Sequence, residues 1–292
     1  MTWSEKEISS LLGRLFPINR SITGDGLRES LGILGEFMPL ETREIPTGTP
    51  CFGWEVPPEW NVRDAFILDG EGRTVADFKD NNLHLMGYSI PFDGVMPLEE
   101  LKAHLYTLED LPDAIPFTTS YYERKWGFCM SHRQYERLQP GMYRVHVDAT
   151  LEKGSLTLAE GVLAGSEQGE YLLHSYLGHP SMANDQLSGP LTLLCIYQRL
   201  LEEPRPLRRS VRFLFTPETI GTIAYISQNL DRLKANVLGG YVVCFTGDDA
   251  PLSYKPSRNA DSLSNRAFLN ILEVDVPGFS PLPFRPIGCD ER

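Results

Sequence analysis

Tyr171-Leu172-Leu173-His174-Ser175-Tyr176-Leu177-Gly178-His179-Pro180-Ser181-Met182-Ala183-Asn184-Asp185-Gln186-Leu187-Ser188-Gly189 decides how this chain reads. Its apolar start has the look of a strand, and its middle is rich in turn formers. Its end feeds an apolar run over residues 190–201, so the order is strand, long polar loop, helix. In an open α/β sheet such a loop lies beyond the carboxyl end of a strand, where ligands bind. The loop carries His174, His179 and Asp185, three potential zinc ligands within twelve positions. Pro, Ser, Asn and Asp are also ordinary turn and cap residues, and on types alone that plainer reading is the more frequent one.

Downstream the rhythm is α/β. Strands are expected at 156–163, 170–174, 210–215 and 235–245, with helices at 189–201 and 222–233. That alternation predicts a mainly parallel sheet with right-handed crossovers, flanked by helices. Asp185, Glu218 and Asp248/Asp249 then fall just past strand ends. Carboxylates gathered on one rim repel unless a cation or a proton sits among them, which strengthens the metal reading.

Upstream, residues 4–16 read as a helix with a Ser4/Glu7 capping box, closed by Pro17. A second helix is expected at 26–37, after the turn Asn19-Arg20-Ser21-Ile22-Thr23-Gly24, and a strand at 40–45. The texture changes near Trp54. Short strands and turns follow, including the hairpin signal Asp69-Gly70 and a strand at 83–88, with one helix at 98–107. Residues 54–150 thus look like a β-rich domain inserted into an α/β domain made of 1–53 and 151–292. The aromatic run from Phe117 to Cys129 reads first as core and hairpin packing. Its second reading, a substrate wall, would make Tyr122 a contact residue.

The 292 residues are 41% apolar and 23% charged, with a net charge of −12. Such an acidic chain is a poor match for nucleic acid or an anionic membrane. No apolar run reaches the roughly 20 residues of a membrane span. The start lacks the parts of a signal peptide. Five scattered cysteines without a CxxC pair fit a reducing cytoplasm. The chain stops without a closing element at Gly288-Cys289-Asp290-Glu291-Arg292, as if a longer protein continued.

His179-Pro180-Ser181-Met182-Ala183-Asn184-Asp185-Gln186-Leu187-Ser188-Gly189 resembles a signature of the bacterial polysaccharide-biosynthesis proteins with an aminopeptidase-like domain, relatives of the zinc aminopeptidases. Pro217-Glu218-Thr219-Ile220-Gly221, the stretch from Thr118 to Cys129, and Asp290-Glu291-Arg292 resemble that family too. The resemblance implies an aminopeptidase-like core, one or two zinc ions, and a peptide-like or aminoacyl substrate. It implies Asp185 and His179 as metal ligands and Glu218 as general base or ligand, and Asp248, on the same rim of strand ends, is a further candidate ligand. Where the superfamily usually has two adjacent glutamates, this chain has Glu218 alone. Where the family has His and Cys, it has Tyr176 and Gly178, and Gln186 replaces an asparagine. His174, two residues before Tyr176 and on the same side of a strand, is the candidate to replace the lost imidazole, and Tyr176 itself becomes a substrate contact. The last histidine ligand of the superfamily would fall beyond Arg292. The expected function is therefore zinc-dependent amide hydrolysis. A metal-poor relative that binds or assembles within a biosynthetic pathway is the alternative, and oligomeric state is open.

Overall fold

The structure, a computed structural model, describes residues 3–276 and 278–284. The expected 290–292 match and Cys289 lie outside those residues. Helix α1 (Glu5–Leu15) starts at Ser4, whose hydroxyl accepts the Glu7 N–H while the Glu7 carboxylate takes the Ser4 N–H. Two first-turn N–H groups that helix geometry leaves open are thereby satisfied. Leu11 and Leu15 face inward, and α2 (Asp25–Gly35) buries Leu27, Leu31 and Leu34.

The main sheet has five strands: β1 (Glu41–Pro46), then, from later in the chain, β6 (Ser155–Leu163), β7 (Glu170–Tyr176), β8 (Ser210–Thr216) and β9 (Val237–Val242). Their spatial order is β1-β6-β8-β7-β9. Helices α3 (Ser188–Leu201) and α4 (Ile220–Asn236) carry the chain from β7 to β8 and from β8 to β9, and β7 lies parallel to both its neighbours, β8 and β9. The other half corrects the expectation of a mainly parallel sheet. Strands β1 and β6 pair antiparallel, as do β6 and β8. The six residues 164–169 between β6 and β7 are too few for a crossover, which needs a dozen or more. The chain must reverse direction there.

Residues 59–152 hold a second, antiparallel four-stranded sheet: β2 (Glu59–Leu68), β3 (Thr74–Asp77), β4 (Phe92–Pro97) and β5 (Met142–Glu152), in the order β3-β2-β5-β4. The turn after β2 is held by Asp69, whose Oδ1 accepts the N–H groups of Glu71 and Arg73. The helix expected at 98–107 is one α-turn, Leu98–Leu101, followed by a 3-10 turn, Lys102–His104. It ends because the His104 ring stacks on Trp126 and Leu105–Tyr106 pairs with Phe128–Cys129. The expected strand at 83–88 begins instead with a 3-10 turn, Asn82–His84, seeded by the Asn81 side chain.

The main sheet is buried on both faces. On one, Val211, Phe213 and Phe215 of β8 meet Leu11, Leu15, Leu27, Leu31 and Leu34 of α1 and α2, and Leu193, Leu194 and Tyr197 of α3. On the other, Leu156, Leu158 and Leu214 join Ile220, Ala224 and Tyr225 of α4. That second cluster runs without a break into Trp60, Ile67, Tyr88, Phe128 and Val145 of the β-rich block. Polar pins reinforce the junction: Thr23 Oγ1 accepts the Trp60 N–H at 3.0 Å and lies 2.6 Å from the Tyr88 hydroxyl. Gly24 makes this approach possible. Its φ is +96°, and a Cβ there would sit 2.3 Å from the Trp60 carbonyl oxygen. Across β6 and β8 the buried Glu160 carboxylate is paired with Arg212 and Arg43, and Arg212 also binds Glu170. Among the described residues no helix is long and apolar enough to cross a membrane, and Cys51, Cys129 and Cys195 are free thiols.

Candidate functional site

The C-terminal ends of the parallel strands β7, β8 and β9 lie on one edge of the sheet. Residues 177–187 follow β7 and residues 217–219 follow β8. Each loop is forced into an unusual backbone. Ser181 (φ 36°) and Thr219 (φ 59°) are non-glycine residues at positive φ. Asp185 breaks the π-helical turn Ala183–Leu187 with φ −100° and ψ 88°. Such outliers cost energy and persist only where surrounding contacts over-determine them.

Those loops bring His179, Asp185, Glu218 and Tyr176 together. The His179 ring is buried, with side-chain exposure of 6% against 24% for Glu218 and 36% for Asp185. Its Nε2 is 3.0 Å from Glu218 Oε2, a hydrogen-bond distance. Its Nδ1 is 3.7 Å from Asp185 Oδ1, beyond hydrogen-bond range, and is buried without a hydrogen-bond partner. The Tyr176 hydroxyl donates to Asp185 Oδ1 at 3.1 Å. Phe117 presents its ring edge-to-face to His179 at 4.8 Å, as Tyr176 does at 6.0 Å. Burial pushes the imidazole pKa down, but Asp185 and Glu218 outweigh it and leave the pKa above its ordinary value. Burial, with the nearby Cys244, Asp185 and Glu218, raises that of Tyr176.

The other expected site residues lie elsewhere. His174 is buried beneath the rim, its Nε2 3.0 Å from Thr216 Oγ1 and 3.5 Å from Thr222 Oγ1. Asp248 accepts from Asn184 Nδ2 at 2.6 Å and from the Ala250 N–H, so it braces the loop beside Asp185. Tyr122 is half exposed, packs tilted against Trp54 with ring centroids 5.8 Å apart and donates to the Glu55 carbonyl. Sequence reasoning passed over Phe117 as an individual site residue and over two side chains that touch the His179 backbone, Arg20 and Gln186. For Gln186 the available signal was its departure from the asparagine of the resembled family.

His174 carries a testable consequence. Burial lowers its pKa from an ordinary 6.5 to about 4. Between those values the unfolded chain binds a proton that the folded chain refuses, so stability falls as pH drops through this window. From pH 7 to pH 5 the loss through this one group is about 2 kcal/mol. His174→Gln should remove that part of the acid sensitivity, seen as a smaller shift of the urea midpoint between the two pH values. An unchanged shift would mean that His174 is protonated in the fold.

Among the described residues no group of three or more His, Cys, Asp and Glu side chains could hold a metal ion. Two donors nevertheless fit a pair of positions on one. With bonds of about 2.0–2.2 Å, two ligands of a tetrahedral ion sit roughly 3.4 Å apart. The unpartnered His179 Nδ1 and Asp185 Oδ1 are 3.7 Å apart. Glu218 on the opposite nitrogen is placed as the carboxylate that commonly orients a ligating imidazole.

An aminopeptidase-like fold is what the comparisons return. A zinc aminopeptidase from Bacillus subtilis superposes with a TM-score of 0.65 over 98% of this chain and 80% of that one, at 12% identity. The chain belongs to the family described as domain of unknown function DUF4910, whose profile matches residues 9–292. It is 41% identical over 286 residues to a Clostridium acetobutylicum protein called "Putative polysaccharide biosynthesis protein with aminopeptidase-like domain". That match covers 98% of this chain and 65% of the relative, so the chain spans just under two thirds of the relative's length. The crystal structure of a "putative peptidase" from Clostridium acetobutylicum superposes with a TM-score of 0.94, at 41% identity, over 98% of this chain and 67% of that one.

Proposed function

We infer that the chain is the aminopeptidase-like part of a zinc-dependent amide hydrolase acting on a peptide-like or aminoacyl substrate. The observation that carries this reading is the His179 ring: one nitrogen is held by Glu218, and the other is buried, unpartnered and turned toward Asp185. His179 Nδ1 and Asp185 would hold the zinc, which when bound lowers the pKa of water and polarises a carbonyl. The rest of the chemistry belongs to the chain. Glu218 is a quarter exposed and in contact with His179, so its carboxylate can accept a proton and pass it to a departing amine. The Tyr176 hydroxyl fixes the Asp185 carboxylate, while Phe117 and Tyr176 shield the imidazole from water. The carboxylates of Asp185 and Glu218 favour a substrate with a free ammonium group.

One observation favours a second reading. The Tyr176 hydroxyl already occupies the Asp185 oxygen that faces His179, at the position where the resembled family has histidine. In that reading the chain is a metal-poor binding or assembly component of a biosynthetic pathway.

Zinc titration of the purified protein separates the two. In the hydrolase reading the protein takes up zinc, and Asp185→Asn lowers the affinity by about 10- to 100-fold because a neutral amide replaces the carboxylate. Excess zinc then partly restores hydrolysis of a panel of aminoacyl amides. If the unsubstituted protein takes up no zinc and hydrolyses nothing in the panel, the second reading holds.

A further inference from the structure

His179 sits in a loop without regular hydrogen bonding, between Gly178 and Pro180, yet its main chain is held at every polar atom. Gln186 Oε1 accepts the Gly178 N–H at 2.5 Å and the His179 N–H at 2.6 Å. Arg20 Nε donates to the His179 carbonyl at 2.9 Å from 159 residues away. Both side chains are 1% exposed. Neither is explained by stability alone. The Arg20 guanidinium makes its hydrogen bonds to neutral oxygens, those of His179, Leu15 and Ser30. Its Nη2 is buried without a partner, as is Gln186 Nε2. A buried charge bonded only to neutral groups, and two buried donors left unsatisfied, cost stability. What these side chains achieve is the fixed placement of one peptide.

We propose that Arg20 and Gln186 are positioning residues that clamp the His179 backbone from both sides and so aim its ring at Glu218 and Asp185. The proposal deepens the reading given above for this site and rests on it for its functional meaning. Rotation of the peptide is carried directly to the ring, so a loosened backbone would loosen the 3.0 Å contact with Glu218 and the approach to Asp185. Arg20 also donates to the Leu15 carbonyl at 2.5 Å, so the end of α1 is tied to the same point. Gln186 is matched to its task by length: an asparagine would end one methylene short of the two N–H groups it now binds.

The test compares Gln186→Leu, Gln186→Glu and Arg20→Lys with the parent by amide hydrogen exchange, cobalt(II) titration and thermal melting. Leucine removes the acceptor at matched bulk, glutamate keeps an acceptor at the same reach, and lysine keeps the charge but loses the guanidinium fork. Gln186→Leu is expected to lose exchange protection at the Gly178 and His179 amides. It and Arg20→Lys are expected to weaken cobalt binding by about 10- to 100-fold, as for residues that orient a ligand. Gln186→Leu orphans two buried N–H groups and should melt below the parent, so affinity is read well below its melting range, and Gln186→Glu should restore both protection and affinity. Parent-like cobalt affinity in both weakened variants overturns the proposal. If the parent itself takes up no cobalt, the zinc reading falls separately and the clamp is judged on the metal-free protein. There, a slowly exchanging His179 ring N–H signal should survive in Gln186→Glu and vanish in Gln186→Leu. Its persistence in Gln186→Leu overturns the proposal.

Discussion

Glu218→Gln is expected to lower hydrolysis of aminoacyl amides by about 100- to 10,000-fold, the usual worth of a positioned general base. The fold should be untouched. The amide oxygen of glutamine still accepts the His179 Nε2–H now 3.0 Å from the carboxylate, so the ring keeps its orientation. What disappears is the capacity to take a proton at neutral pH. Zinc affinity should change little, because Glu218 lies on the nitrogen opposite the proposed ion. Matched steady-state assays and zinc titrations decide the matter. A variant that keeps its rate would remove Glu218 from the chemistry. One that loses zinc and recovers with excess metal would make it a ligand.

The largest expected effect on stability lies at the centre of the main sheet. Phe213 is fully buried on β8, its ring edge-to-face with Tyr197 of α3 at 5.6 Å. Three helices close over that face, so neighbours cannot collapse into the space a smaller side chain would leave. Phe213→Ala should cost about 3–5 kcal/mol, read from urea denaturation with an unchanged m-value. A loss below about 1 kcal/mol would mean that this face of the sheet is far more plastic than close packing permits.

Local chemistry made the key loop legible. A strand, a turn-rich segment and an apolar helix follow one another over 171–201, and the structure has β7, the π-turn and α3 in those places. The Ser4/Glu7 cap and the Asp69 turn were readable for the same reason, since all their atoms lie within a few residues. Strand direction was not readable. Alternation and apolar runs mark a strand but carry no sign of its orientation, and only the six-residue link 164–169 shows why β6 opposes β8. The 98–107 segment had a helical stripe in Leu98, Leu101 and Leu105, but a stack between His104 and Trp126, twenty-two residues away, ends the helix. In the site, His179, Asp185 and Glu218 came from motif and position. Arg20 did not, because an arginine in a polar turn reads as a solvated surface residue. Its burial depends on a loop 159 residues downstream.

The unbroken cluster that joins Leu156, Leu214 and Ile220 to Trp60, Tyr88 and Val145 bears on inheritance as well as on packing. A module that evolution can move between proteins carries its own interior and leaves its host intact when lost. The β-rich block shares its interior with the host sheet, so excision would strip apolar side chains bare on both fragments. Shuffling by recombination within residues 59–152 is therefore penalised, whichever partner sequence is offered. Descent with the whole framework is the route left open, and insertions are tolerated only at exposed turns such as the one following Asp69.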